Sequence, residues 1–364
     1  MSLGNSVKQE PEFGRWLPLA KQVVRHSLGL RWNDVFEIYS YIPTIPLAEA
    51  LALEARRAGS DTHITLMTDD LWFTSMEELP TRWLRAPSQA EIAINKAATA
   101  YVYLGGPRDA RRMRRIPAEK FEANTLGNIK QDEPKSRRRV RAVDLPIGRV
   151  CPERAEAYGL NYELWQQSYN SALAVDLRDI QRAAAEWLSK LRGKRKVHVV
   201  SDSGTDLKFE IIAAPPMVDD GVISTSDVRR GFVETSLPAG KIVSGIVPGS
   251  AEGEACFSDP VFLMGRSVRG LHLEFKKGKL VHWNAEENAE LLTSTLRDRG
   301  RTGNQLGWFS IGLNSAAQPC MLDNGIVQND IGIGLNPHPL LEPSKIRRDG
   351  SFEATIGLAE VKIG

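Results

Sequence analysis

The sequence predicts an α/β protein of two domains, an open α/β N-terminal domain over residues 1–195 and a β-rich α+β C-terminal domain over residues 196–364. Three observations predict it. The chain has 364 residues, more than one ordinary core holds, since domains usually fall at about 100–200 residues. Up to residue 104 short apolar runs alternate with helical patterns, the rhythm of parallel βα units. Past residue 195 the pattern changes to short strands broken by Gly and Pro turns.

In order along the chain, Val35 to Tyr39 reads as a strand and Ile45 to Ala58 as a helix ending at Gly59. His63 to Met67 and Ala100 to Leu104 read as the next two strands. From Arg108 to Arg141 there are twelve Lys or Arg against five Asp or Glu, with little apolar periodicity. Tyr162 to Leu191 then reads as helix, with Leu164, Leu173, Leu177, Ile180, Ala184 and Leu188 near the helical period. In the C-terminal half the strands are Val197 to Val200, Asp206 to Ile212, Lys241 to Val243, Leu271 to Phe275, Leu280 to Asn284 and Ile331 to Ile333. Gly278 between two alternating runs predicts a hairpin, because such turns need positive φ.

The composition, 42% hydrophobic and 25% charged with a net charge of +2, is that of a globular chain with no bias toward a polyanion. Three cysteines without CxxC spacing imply neither a disulfide framework nor a cysteine-held zinc. No run approaches the roughly 18 apolar residues that a membrane helix needs, and residues 1–16 carry no apolar leader, so a cytoplasmic location is expected. The Arg-rich segment has almost no interleaved aromatics, which favours a solvated face or an ion-pair network over nucleic-acid binding. Asp202 to Thr205 spells the Asp-Ser-Gly-Thr of aspartic proteases, but one copy supplies one carboxylate where that chemistry shares a proton between two. His338, in Asn336-Pro337-His338-Pro339, is held between prolines in a loop and is a candidate ligand-binding residue.

Several stretches together resemble the aminopeptidase T family of two-metal exopeptidases, whose relatives include an iron-dependent ring-cleaving dioxygenase. Ser203 to Phe209 is similar to the family's Gly-Thr-Asp-Leu turn and strand, and Leu237 to Val243 to its Leu-Pro-x-Gly-Glu-Val-Phe segment. The similarity continues through Val247 to Gly253, Leu271 to Trp283, Ile311 to Asn314 and Asp330 to Asn336. It implies an aminopeptidase T type of C-terminal domain, a cleft between the domains, paired metals and a homodimer.

At the positions where the resemblance places metal ligands, this chain carries Lys241, Trp308, Asp330, Ser351 and Glu353. An ammonium and an indole offer no lone pair to a metal. The expectation is therefore no cofactor, with a weakly bound divalent cation on Asp330, Glu353, Asp323 or His338 as the alternative. Lys241 is expected to face Asp330 and Glu353. These three are the candidate catalytic residues, Lys241 as acid, electrophile or nucleophile and a carboxylate as general base, with Trp308, Ser351 and His338 binding substrate. Three functions stay open. One is a hydrolase or lyase of a small carboxylate or aromatic compound, or a short peptide, in a remodelled, metal-poor cleft, and another an inactive homologue in which the Lys241 ion pair holds loops together. A retained metallo-aminopeptidase with a relocated metal site is a third. No membrane partner is expected.

Overall fold

A computed structural model describes residues 12–263, 266–292, 304–319, 324–336 and 352–364. Its strands in chain order are β1 (Val35–Tyr41), β2 (Asp61–Met67), β3 (Ala100–Tyr103), β4 (Arg141–Asp144), β5 (Lys196–Val200), β6 (Asp206–Glu210), β7 (Met217–Asp219), β8 (Glu234–Ser236) and β9 (Lys241–Gly245). There follow β10 (Glu252–Cys256), β11 (Val261–Leu263), β12 (Arg266–Val268), β13 (His272–Lys276), β14 (Lys279–Asn284), β15 (Leu306–Gly312), β16 (Asp330–Leu335), β17 (Phe352–Leu358) and β18 (Glu360–Ile363).

The first sheet is parallel, in the order β2-β1-β3-β4-β8. The helix Ile45–Arg57 returns the chain from β1 to β2 and buries Leu47, Ala48, Leu51 and Ala55, the apolar stripe of its period, against the sheet face that carries Phe36, Ile38 and Val102. β8, from beyond residue 195, completes this sheet beside β4, and one apolar core runs through both halves of the chain. The strand is short and polar, with no alternation for a sequence reading to find.

The C-terminal half stacks two antiparallel sheets, β14-β13-β10-β6-β5-β18 and β17-β16-β15-β9-β7. Alternate residues of each point inward, and Phe209 meets Phe309 between them at 5.2 Å. The mixed α/β class is as the sequence predicts. So is the hairpin, where Lys277 and Gly278 both take positive φ between β13 and β14. Among the described residues no helix is long and apolar enough to cross a membrane.

Two elements differ from expectation. The helix read over 162–191 is two helices, Tyr162–Leu173 and Leu177–Leu191, because Asp176 stops one and caps the next by accepting the Arg178 N–H. Leu164 is exposed, off the buried stripe of Trp165, Ser168, Tyr169 and Ala172. The Arg-rich segment holds two helices, Ala110–Met113 and Ala118–Arg138, and its charges are met largely within the chain. Arg108 pairs with Glu153, Arg112 with Glu77, Arg137 with Glu133, and Arg141 with Asp34. Such pairs follow from three-dimensional neighbours, most of them far away in sequence.

Candidate functional site in the cleft between the sheets

The period of two along a strand puts Lys241 and Val243 of β9 on one face, with Trp308, Ser310 and Gly312 of β15, Gly332 and Gly334 of β16, and Met217 and Asp219 of β7. Cross-strand register sets Asp219 opposite Lys241. On the far edge Glu353 of β17 lies opposite Gly334. The Lys241 ammonium donates to Glu353 Oε1 at 2.6 Å, although the two residues are 112 positions apart. A Cβ at Gly325 would stand 3.2 Å from Lys241 Nζ and 3.3 Å from Glu353 Oε1, so glycine there gives the ion pair its room.

This end of the face opens into a cleft of about 400 Å³. Its opposite wall comes from the parallel sheet, at the carboxyl ends of β4 and β8, where Asp144 and Ser236 stand and where open α/β sheets bind ligands. Lys241, Arg149 and Arg154 bring positive charge; Asp144, Asp219, Asp259 and Glu353 bring negative charge. Tyr158 and Phe262, in edge contact at 4.9 Å, form an aromatic wall. The Arg149 guanidinium lies 5.4 Å from the Tyr103 ring centroid, which orients it. Arg154 is buried and donates to the Pro107 carbonyl at 2.6 Å.

Burial pushes the Asp219 carboxyl up, against hydrogen bonds from Thr235 Oγ1 (2.5 Å) and the Ser236 N–H (2.9 Å) and the charge of Lys241. Asp330 is 1% exposed and neither of its oxygens has a hydrogen-bond partner. Burial first, and then the charge of Asp259, push its carboxyl up to about 7.

The structure joins Lys241 to Glu353 and gives Asp330 no hydrogen bond to either. Asp330 shares the strand face of Gly332 and Gly334 and stands level with Lys241 across Gly312, but it is buried beside Asp259 and does not line the cleft. Trp308 needs a second correction. It is 1% exposed, packs with Met217, Val243 and Phe232, and presses so closely on β16 that a Cβ at Gly334 would fall 1.9 Å from its ring. It is a core residue and no substrate wall. Ser351, His338 and Asp323 lie outside the described residues. Sequence reasoning missed Asp219, Arg149, Arg154 and Asp259. The one available signal was the apolar run Met217-Val218 ending in Asp219-Asp220, which marks a strand whose end carries charge.

Residues 172–319 match the thermophilic metalloprotease (M29) family. The wild-type AmpT structure from Thermus thermophilus superposes with a TM-score of 0.72 at 19% identity, covering 96% of this chain and 95% of that one. The chain has the aminopeptidase T fold. The resemblance read from the sequence thus holds in the family match and in the architecture. A 2,5-dihydroxypyridine dioxygenase from Pseudomonas putida superposes with a TM-score of 0.56 at 12% identity, covering 96% and 93% of the two chains. No curated protein matches in sequence.

The M29 family is described as one of metalloproteases, and that overturns the expectation of no cofactor. The side chains at the aminopeptidase T positions described here do not fit a paired-metal set. An ammonium occupies the Lys241 position and holds the Glu353 carboxylate, an indole buried in the core occupies another, and the buried Asp330 carboxyl bonds to neither. Among the described residues no three His, Cys, Asp or Glu converge as a metal site.

Proposed function

We propose that the chain is an aminopeptidase T-like hydrolase acting on a small zwitterionic substrate, a short peptide or an amino-acid derivative, in the cleft between the parallel sheet and the β9 sheet face. The observation that carries this reading is the Lys241–Glu353 pair, a 2.6 Å ammonium–carboxylate contact in a cleft that presents both signs of charge. Small-molecule sites combine a few convergent polar groups with apolar walls. Here Arg149 is placed for a substrate carboxylate, Asp219 and Asp144 for an ammonium, and Tyr158 and Phe262 for an apolar side chain.

Glu353 takes a proton from water as its oxygen adds to the scissile carbonyl, and the Lys241 ammonium stabilises the oxyanion. The same proton then passes from Glu353 to the leaving nitrogen as the C–N bond breaks. A second reading, binding without turnover, draws on the same pair, because Lys241 already neutralises Glu353 and the closed pair also ties β9 to β17.

The test incubates the full chain with a panel of free dipeptides and N-acyl amino acids, with zinc, cobalt, manganese or magnesium supplied in turn, and follows amino-acid release by chromatography. Turnover that falls at least about 100-fold in Glu353→Gln, with the fold retained, is the expected result. Binding without turnover selects the second reading. Turnover equal in wild type and Glu353→Gln overturns the assignment of Glu353.

A further inference from the structure

A second cleft, of about 460 Å³, lies on the other face of the parallel sheet and takes no part in the chemistry above. Its floor follows from strand register. Glu37 and Tyr39 of β1 stand opposite Tyr101 and Tyr103 of β3, so the period of two turns these side chains and Tyr41 to one side. Ring centroids of Tyr39 lie 5.7 Å from Tyr103 and 6.1 Å from Tyr41, a continuous aromatic surface. The helix Ala118–Arg138 roofs it with Asp132 and Lys135, while Trp72, Trp83 and Glu91 close the sides.

Three features together specify what this cleft binds. Its carboxylates, Glu37, Glu91 and Asp132, outnumber the one lining cation, Lys135. Glu37 is 2% exposed, and its Oε2 has no hydrogen-bond partner, the Lys135 ammonium standing too far off at 3.9 Å. Lys135 itself shows the mode of binding: its Nζ lies 3.7 Å from the Tyr101 ring centroid and 3.0 Å from Asp132 Oδ1, an ammonium held between a π face and a carboxylate.

We infer that this tyrosine- and tryptophan-lined cleft is a binding site for a small organic ammonium ion, seated on the aromatic rings with the free oxygen of Glu37 as its counter-charge. The rings favour a large, weakly hydrated cation over a hard metal ion, which oxygen-rich cages take. An anion would meet an excess of carboxylates. Burial, followed by the charge of Asp132, pushes the Glu91 carboxyl up, and burial pushes Glu37 up against the pull of Lys135, a bias that a bound cation would offset. The volume suits a ligand of small-molecule size.

The experiment titrates the full chain with tetramethylammonium, n-butylammonium and choline at fixed ionic strength. Heat of binding and tryptophan fluorescence are followed, with sodium chloride and the neutral isostere 3,3-dimethylbutanol as controls. The expected result is saturable binding of at least one ammonium, accompanied by a change in fluorescence and absent with both controls. The affinity should fall about tenfold in Trp83→Ala and again in Asp132→Asn. Trp83 is 58% exposed and the Asp132 side chain 45%, so neither change threatens the core. Tetramethylammonium above butylammonium marks a quaternary ligand and the reverse order a primary amine, and either supports the site. No saturable response to any ammonium, an equal response to dimethylbutanol, or affinities unchanged in both variants overturns it.

Discussion

Lys241→Met removes the cation of the first cleft while keeping most of the side chain's length and volume. It strands two carboxylates of different kinds. The Glu353 side chain is 38% exposed, so losing this pair costs no more than the roughly 0.2–1 kcal/mol typical of surface ion pairs. Asp219, opposite Lys241 in register, is buried, and Lys241 is one of the influences drawing its raised carboxyl pKa back down. Weakening the charge compensation of a buried carboxylate that keeps its hydrogen bonds adds roughly 1 kcal/mol. A total of about 1–2 kcal/mol follows at neutral pH.

Thermal unfolding entropies of about 2.1 cal/mol/K per residue make each kcal/mol worth only about 1.3 °C in a chain of this length. The expected drop is therefore about 1–3 °C. An acid whose folded pKa exceeds its unfolded one leaves the folded state at full stability below the unfolded pKa, and that stability is lost as pH rises through the folded pKa. The deficit of Lys241→Met is thus full at neutral pH and shrinks on acidification, as Asp219 takes up a proton. Differential scanning calorimetry of both proteins across that range measures it. A deficit that is absent at neutral pH, or that grows on acidification, would show that Lys241 does not offset these carboxylates.

Trp308→Ala is expected to lower stability by about 3–5 kcal/mol, the cost of emptying a large buried site, as read by urea denaturation. A loss below about 1 kcal/mol would return Trp308 to the cleft surface. Asp330→Asn removes a buried carboxyl whose pKa stands at about 7, and so should stabilise the protein by on the order of 2–4 kcal/mol above pH 7. The gain should vanish toward about pH 3, below the unfolded-state pKa, where the wild-type group is protonated in both states; a gain independent of pH would refute the raised pKa.

The sequence by itself determined the local features. Alternation and turn chemistry located β1, β3 and the β13–β14 hairpin, because strand period and the positive φ at Gly278 are properties of a few adjacent residues. The resemblance also located Lys241 and Glu353, which meet at 2.6 Å. What the sequence left undecided is which face of a strand looks into a cleft. All six residues of β16 are buried, so Asp330 and Ile331 read alike although one strand face carries the core and the other approaches the site. Only the stacking of sheets turned Trp308 inward, and only the order β17-β16-β15-β9-β7 set Asp219 beside Lys241. Arg149, Asp144 and Asp219 share a cleft because the carboxyl edge of the parallel sheet faces the β9 sheet. The physical reason is one of range. Backbone preference and side-chain period act over a few residues, whereas a charged cleft is assembled from segments more than a hundred residues apart, through packing that no single segment encodes.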